Sequence, residues 1–229
     1  MIDFETNVAF KTTKEGDKLL SPFGPTIFQS HVDTNFTKEL IEEGRKLTMA
    51  NDFNHNLAGN LKYGRSFEYN DDYILKVEPY LKTYVERYLN GLIDAYGNIY
   101  QKFIEKMLNV QHNRRQLRQG NLRLDTLWIN FSQKNDFNPP HNHTGVLSFV
   151  IFCKVPQEIF EVTADSNHQQ PGNLVFQYGE KICNYMGCEF PIKPYDDLMF
   201  IFPSELKHYV PSYWIDAERI SVSGNFVVV

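Results

Sequence analysis

The sequence predicts a mainly β protein, a jelly roll buttressed by N-terminal helices. Helical periodicity runs to about residue 108, whereas the residues beyond Asn121 alternate or form apolar runs in the manner of strands. The predicted strands are short, irregularly spaced and separated by proline and glycine. No strand–helix–strand alternation is visible, which argues against a doubly wound fold and favours the jelly roll.

The bulk properties of the chain favour a soluble globular protein. Its 229 residues and 42% hydrophobic fraction fit one domain with a sizeable core. The net charge of -5 gives no positive field for nucleic acid or an anionic membrane, although Arg114, Arg115, Arg118 and Arg123 form a local basic strip. No run approaches the roughly 18 apolar residues of a membrane helix, and the N-terminus lacks a signal-peptide core. We therefore expect a cytoplasmic protein.

The cysteines point to the same compartment. Cys153, Cys183 and Cys188 are an odd number without CxxC spacing, which favours a reduced protein with no disulfide frame. Cys183 and Cys188 are candidate soft metal ligands. However, no second cysteine pair completes a zinc set.

The first half of the chain predicts extended segments followed by two helices. Residues 1 to about 32 mix short extended runs with turns, and residues 51–70, rich in Asn and Gly, predict a long loop. Pro79 is expected in the first turn of the second helix. The first helix is predicted from Phe36, Leu40, Ile41, Gly44 and Leu47. The second is predicted from Leu81, Tyr84, Val85, Tyr88, Leu89, Leu92 and Ile93, with the stripe resuming at Ile99, Phe103, Ile104 and Leu108.

The second half predicts strands. Two segments show a two-residue alternation typical of strands. Leu127, Ile129 and Phe131 alternate with Trp128, Asn130 and Ser132, and Leu174, Phe176 and Tyr178 alternate with Val175 and Gln177. Residues 146–155 and 198–202 are nearly continuous apolar runs, as in strands buried on both faces. A last strand is expected over residues 218–229.

A pair of histidines follows two prolines in the segment Asn138–Gly145. The prolines are expected to end the preceding strand or turn and to stiffen the approach. In extended chain, residues i and i+2 project to the same side, so His141 and His143 can converge on one metal ion while Asn142 points away. An HxH pair is a weak signal by itself.

A third histidine and an arginine strengthen that interpretation. His208 follows a Pro-Ser turn, and Arg219 comes eleven residues later with Ser221 at i+2. On this alternating strand the polar face would line a barrel interior. A buried arginine needs a partner, and a dicarboxylate ligand would supply one through a bidentate fork. Two alternatives stay open: Arg219 pairs with Asp216 or Glu218, and His208 is a satisfied core histidine.

The order HxH, distant His, then Arg-x-Ser resembles the 2-oxoglutarate/Fe(II) oxygenase superfamily. The stretches WINF, DFNPPHNHTGVLSFVIF, GNLVFQYGE, FIFPSELKHYV and ERISVSGNF resemble more closely a group of uncharacterised oxygenases frequent in tailed phages, including those of cyanobacteria. The resemblance covers roughly residues 124–229 and extends loosely to residues 55–59. It implies a double-stranded β-helix core of the cupin-like type over residues 121–229. Residues 1–120 would supply extended segments and supporting helices within a single oxygenase domain, 1–229.

The resemblance also implies a chemistry and a site. Its cofactors would be Fe(II), 2-oxoglutarate and O2, and its reaction would hydroxylate a substrate with release of succinate and CO2. His141, His143 and His208 would hold iron. The far carboxylate of 2-oxoglutarate would bind Arg219 and Ser221, and Asn130, placed like an asparagine of AlkB-type dealkylases, would steady the chelating end.

One position departs from the superfamily pattern. Position 143 is His where a carboxylate is usual, which leaves the metal site one charge more positive. Either three histidines bind iron, or His143 does not bind the metal directly and a carboxylate such as Asp136 or Glu205 supplies the third ligand.

Two competing functions are also compatible with the sequence. The competitors are a cupin-like three-His dioxygenase that does not use 2-oxoglutarate, which Arg219-x-Ser221 disfavours, and a non-catalytic jelly-roll binding module, which the convergent histidines disfavour. A protein side chain or a small molecule is the favoured substrate, and the negative charge disfavours nucleic acid without excluding it. The sequence predicts neither the oligomeric state nor the particular substrate. If the chain is phage-encoded, we expect it in the host cytoplasm.

Overall fold

The computed structural model describes residues 2–3, 8–21, 24–59, 61–97, 122–161, 170–180 and 187–228. The elements of its first half are β1 (Ile2–Asp3), β2 (Val8–Thr12), β3 (Lys18–Leu20), β4 (Ile27–His31), α1 (Thr34–Lys46), two 3-10 turns (Met49–Asn51 and Asn54–Asn56), β5 (Arg65–Glu68) and α2 (Asp71–Tyr96). Those of its second half are β6 (Leu122–Ser132), β7 (Asn138–His141), β8 (Leu147–Lys154), a 3-10 turn (Gln157–Phe160), β9 (Leu174–Gln177), β10 (Glu189–Ile192), β11 (Leu198–Pro203), β12 (Lys207–Val210) and β13 (Arg219–Val228).

The two predicted helices are present. Helix α1 begins after Asp33, whose carboxylate accepts the Asn35 backbone N–H and so satisfies one unpaired donor of the first turn. Helix α2 begins after Asn70, which caps the Tyr73 N–H in the same way. The predicted tyrosine and leucine stripe of α2 is buried or partly buried in the core. The continuation expected at Ile99, Phe103, Ile104 and Leu108 lies outside the described residues. Neither α1 nor α2 has the length and hydropathy of a membrane-spanning helix.

The expected position of Pro79 in a first helical turn is wrong. Pro79 lies inside α2, which starts eight residues earlier at Asp71. The missing proline N–H removes the bond to the carbonyl of Leu75. Burial of Tyr73, Ile74 and Val77 extends the apolar stripe toward the N-terminus of the helix, so packing of this first part offsets the lost bond.

The strands form two sheets with jelly-roll topology. The larger sheet has the order β1-β2-β3-β4-β11-β8-β13-β6-β5, and the smaller has the order β10-β9-β12-β7. Strands β6 to β13 alternate between the two sheets except at the hairpin of β9 and β10, which both lie in the smaller sheet. Strands β6, β8, β11 and β13 therefore face β7, β9, β10 and β12. This arrangement confirms the predicted mainly β fold with a double-stranded β-helix core.

The larger sheet separates two apolar cores. Strand β8 is buried on both faces as predicted, with Phe149 and Ile151 in the core beneath the helices and Val150 and Phe152 in the core between the sheets. Helices α1 and α2 cover the outer face of the sheet. The inner face and the smaller sheet enclose a cavity.

Two local expectations need correction. The predicted loop over residues 51–70 contains β5, which pairs with β6 from Arg65↔Phe131 to Glu68↔Trp128. Pro139 and Pro140 do not end a strand but lie inside β7. Strand β7 is the edge of the smaller sheet, where a residue without an N–H is tolerated.

Candidate metal centre and co-substrate pocket

Three histidines converge inside the barrel. His141 ends β7, His208 lies on β12 as its direct register partner, and His143 follows two residues after β7. One ligand atom from each lies within 4.8 Å of the other two. His143 Nε2 and His208 Nε2 are 3.1 Å apart. Two nitrogens that bind one ion at right angles, each about 2.1 Å from it, lie about 3 Å apart, so this spacing suits a shared metal ion.

Backbone carbonyls orient two of the three rings. His141 Nδ1 donates to the Pro139 carbonyl at 2.7 Å, and His208 Nδ1 donates to the Leu206 carbonyl at 3.0 Å. Because a carbonyl only accepts, each Nδ1 carries the proton and each Nε2 keeps a lone pair. Such bonds from the distal nitrogen are typical of metal-binding histidines.

His143 is held by the turn between β11 and β12 and by an aromatic neighbour. Its backbone N–H donates to the Ser204 carbonyl at 2.9 Å. The centroid of its ring lies 5.5 Å from the centroid of the Trp128 ring. Trp128 in turn stacks on Phe53 at 5.2 Å. The His143 side chain is therefore positioned from both sheets.

Burial keeps the three imidazoles neutral. Desolvation lowers the pKa of His141, lowers that of His143 to about 4, and lowers that of His208 well below its usual range. The neighbouring imidazoles add to the effect at His143 and His208, because two positive charges in one site repel each other. A neutral imidazole is the form that binds a metal ion.

Neither carboxylate considered as a substitute ligand is positioned for that role. Asp136 is buried, and its carboxylate accepts backbone N–H groups of Tyr63, Gly64 and Gln133 at 2.8–3.0 Å. Glu205 is exposed in the turn after β11. Among the described residues, the candidate ligand group consists of the three histidines without a carboxylate.

Arg219 is buried on the same inner surface. It is 4% exposed, and within the described part of the chain no carboxylate forms an ion pair with it. Its Nε has no hydrogen-bond partner there, and its guanidinium lies 5.0 Å from the Phe152 ring centroid. Burial lowers the Arg219 pKa to about 10. The alternative partner Glu218 instead bonds Arg45, and among the described residues no hydrogen bond or ion pair joins Asp216 to Arg219.

Asn130 and Ser221 lie next to Arg219. They are direct register partners on β6 and β13, and both line the cavity. The Asn130 Oδ1 atom is buried without a partner among the described residues. A buried polar atom left unpaired costs free energy unless a ligand or water satisfies it. The unpaired Asn130 Oδ1 and Arg219 Nε atoms thus favour a polar ligand at this end of the cavity.

The cavity joins these groups in a volume of about 330 Å3. The three histidines, Asn130, Arg219 and Ser221 all line it. The predicted polar face of the last strand also brings Ser223 and Asn225 to the cavity, as expected. Sequence reasoning missed Thr126 on β6 and the wall formed by the loop before β5. The only signal was the loose resemblance at residues 55–59. The missed wall residues are Phe53, Asn56, Leu57 and Ala58.

The described members of the cysteine set and of the basic strip, Cys153, Cys188 and Arg123, do not line this cavity. Cys153 is buried, which raises its pKa above the usual range of a thiol, and Cys188 is partly exposed. Cys183 lies outside the described residues, as do Arg114, Arg115 and Arg118 of the basic strip.

Comparison with protein families supports the predicted resemblance. Residues 126–225, a little under half of the chain, match the family model described as "Putative 2OG-Fe(II) oxygenase". The matched segment contains every predicted site residue. The expected resemblance to the 2-oxoglutarate- and Fe(II)-dependent oxygenases is thereby confirmed, and with it the predicted enzyme class and its cofactors. The phage-type part of the resemblance stays a prediction. No curated protein matches the chain.

Solved structures give distant similarities. A Pseudomonas putida prolyl-4-hydroxylase aligns at 14% identity and TM-score 0.47, covering 88% of this chain and 91% of that one. HygX from Streptomyces hygroscopicus, solved with nickel, 2-oxoglutarate and hygromycin B, aligns at 7% identity and TM-score 0.48, covering 90% and 83%. A viral collagen prolyl hydroxylase from Paramecium Bursaria Chlorella virus-1 aligns at 8% identity and TM-score 0.44, covering 87% and 94%.

Proposed function

We propose that this protein hydroxylates a substrate C–H bond, with His141, His143 and His208 holding Fe(II) and Arg219 anchoring 2-oxoglutarate. The overall reaction consumes one O2 and one 2-oxoglutarate. One oxygen atom enters the substrate as a hydroxyl group, and the other enters succinate as CO2 is released. Iron and 2-oxoglutarate, when bound, supply the oxidising chemistry, whereas the chain supplies the ligands, the orientation and a shielded cavity.

The observation that carries the proposal is the histidine cluster, in which hydrogen bonds fix the tautomers of His141 and His208. The carbonyls of Pro139 and Leu206 fix the proton on the distal nitrogen of His141 and His208, which leaves Nε2 ready to bind a metal ion. Low pKa values keep these rings unprotonated near pH 7. The site therefore needs no proton release to accept Fe(II).

The chemistry of 2-oxoglutarate fits the other end of the cavity. A guanidinium fork binds a carboxylate with two parallel hydrogen bonds, and the buried Arg219 Nε has no partner among the described residues. Ser221 is two residues further along the same face of β13 and offers a hydroxyl donor. The Asn130 amide across the strand pair offers a further hydrogen-bonding group for the chelating end of the co-substrate.

Charge balance also favours a dianionic co-substrate. Three neutral imidazoles leave the two positive charges of Fe(II) uncompensated, and the described cavity lining contains no Asp or Glu. The two carboxylates of 2-oxoglutarate offset this charge inside a site of low dielectric constant. A cupin-like enzyme without 2-oxoglutarate would leave both the metal charge and Arg219 without partners.

We further propose that residues 1–229 form a single oxygenase domain and that the protein acts in the cytoplasm. Strands β2 to β4 extend the same sheet that carries β13, which supports one domain. The odd number of cysteines supports a reducing compartment. The prime substrate is proposed to be a protein side chain or a small molecule.

Succinate formation tests the proposal. The purified protein, supplied with Fe(II), O2, ascorbate and 2-oxoglutarate, should form succinate slowly without a prime substrate. The His208→Ala variant should form none, whereas His31→Ala, which removes an exposed histidine of β4, should match the parent. Succinate formation at equal rates in the parent and in His208→Ala would overturn the proposal.

A further inference from the structure

The inward-facing residues of β13 line the cavity from one end to the other. Its inward residues pair across to β6 as Arg219↔Ser132, Ser221↔Asn130, Ser223↔Trp128 and Asn225↔Thr126. At about 3.3 Å per residue, Arg219 and Asn225 lie roughly 20 Å apart along the strand. The two ends of the cavity are therefore separate binding regions.

The histidine cluster lies between these two ends. The His143 ring contacts Trp128, whose partner Ser223 is midway between Ser221 and Asn225 on the inner face. Arg219, Ser221 and Asn130 are on one side of this level, where the proposed function puts 2-oxoglutarate. The pair of Thr126 and Asn225 is on the other side, so a group held there approaches the metal centre from the side opposite the co-substrate.

Thr126 and Asn225 form a hydrogen-bonded pair in which each side chain retains one further N–H or O–H donor. Asn225 Nδ2 donates to Thr126 Oγ1 at 3.0 Å, and Asn225 Oδ1 accepts from the Ser148 hydroxyl at 2.8 Å. Thr126 therefore keeps its own hydroxyl proton, and the Asn225 amide keeps a second N–H. Neither hydrogen is donated to an acceptor among the described residues, and both side chains line the cavity. The pair can donate to a carbonyl, hydroxyl or ether oxygen.

The surroundings of this pair carry no charge. Among the described lining residues, Arg219 at the opposite end of the cavity is the one that carries a charge. An ionised group brought into the cavity without an opposite charge would lose hydration without compensation. Phe53 and Trp128, stacked on each other, add an apolar wall beside the polar pair.

We propose that the prime substrate presents an uncharged hydrogen-bonding group to Thr126 and Asn225, between the Phe53–Trp128 wall and the histidine cluster. This inference rests on the proposed function, because it takes the Arg219 end to be filled by 2-oxoglutarate. Amide, hydroxyl and ether groups belong to the accepted class. Groups that carry an ammonium, guanidinium, carboxylate or phosphate charge do not.

Binding of capped amino acids tests the substrate class without requiring turnover. The probes are N-acetyl amino-acid methylamides with neutral polar, cationic and anionic side chains, and saturation-transfer NMR measures their binding to the protein loaded with Zn(II) and 2-oxoglutarate. Thr126→Val removes the hydroxyl while keeping the shape of the side chain. Thr83→Val is the matched control, because Thr83 is exposed on α2 and, within the described part of the chain, its hydroxyl bonds only the helix carbonyl of Tyr80.

We expect the neutral polar probes to bind and the charged probes not to bind. Loss of one neutral hydrogen bond in Thr126→Val should weaken binding about threefold to tenfold, with Thr83→Val unchanged. Equal or tighter binding of a charged probe, no binding of any neutral polar probe, or an unchanged affinity in Thr126→Val would overturn the inference. If the Fe(II) protein makes no succinate while the Zn(II) protein still selects neutral probes, the proposed function fails and the binding-site inference survives.

Discussion

His141 and His208 are direct partners across the antiparallel pair of β7 and β12, and their ring centroids lie 4.4 Å apart. The backbone ladder therefore sets the separation of these two rings. His143 reaches the same point from the turn after β7, held through its backbone N–H by Ser204. Two proposed ligands are thus fixed by a sheet and the third by a turn, which leads to different expectations for their replacement.

Replacement of His208 should remove most of the metal affinity. His208 is 6% exposed and contributes one of three ligands, so His208→Ala leaves a two-histidine site with a gap that the chain does not refill. Metal content after dialysis against Fe(II), Mn(II) or Ni(II) measures the effect, with His31→Ala as the control. Unchanged stoichiometry in His208→Ala would remove His208 from the metal centre.

Replacement of His143 distinguishes a three-histidine site from one with a carboxylate ligand. His143→Asp should retain iron, because it creates the two-histidine, one-carboxylate set common for non-haem Fe(II). His143→Ala should bind iron much more weakly than either protein. If His143→Ala binds iron as tightly as the parent, the third ligand is another residue.

The metal-free protein should lose stability as the pH falls from about 6.5 to about 4. Burial lowers the pKa of His143 to about 4 in the folded state, whereas the unfolded residue titrates near 6.5. Between these values the unfolded chain binds more protons, so the free energy of unfolding decreases with falling pH. Urea denaturation at several pH values measures it. His143→Phe should show a shallower dependence, and an identical slope would contradict the assignment to His143.

Gly64 should not tolerate a side chain. A Cβ atom there would lie 2.1 Å from the Phe131 carbonyl oxygen and 2.5 Å from Asp136 Oδ2, so Gly64→Ala forces the backbone of the cavity-wall loop away from β6. Overpacking of this kind costs about 1–3 kcal/mol of unfolding free energy. Gly187→Ala is the control, since a Cβ there meets nothing within 4 Å. Equal denaturation midpoints for the two variants would contradict the close approach at Gly64.

The sequence predicted those parts of the fold and site that depend on local periodicity. The alternation along β13 puts Arg219 and Ser221 on the inner face, and this is visible in a window of a few residues. The start of α2 was missed because Pro79 suggested a first turn, and only tertiary burial of Tyr73 and Val77 reveals the earlier residues as helical. The wall residue Phe53 was missed because its role comes from stacking on Trp128, a contact distant in sequence with no local signature.

The central claim is that Fe(II) held by three histidines and Arg219 together bind 2-oxoglutarate. Anaerobic titration of the Fe(II) protein with 2-oxoglutarate, followed through the metal-to-ligand charge-transfer band, tests it most directly. We expect a saturable band in the parent. In Arg219→Ala the affinity should fall about tenfold to a hundredfold, because a charge-assisted hydrogen bond contributes about 1.5–3 kcal/mol. Arg219→Lys should not restore it, because an ammonium cannot reproduce the bidentate fork. Equal affinities in parent and Arg219→Ala, or no band in the parent, would contradict the claim.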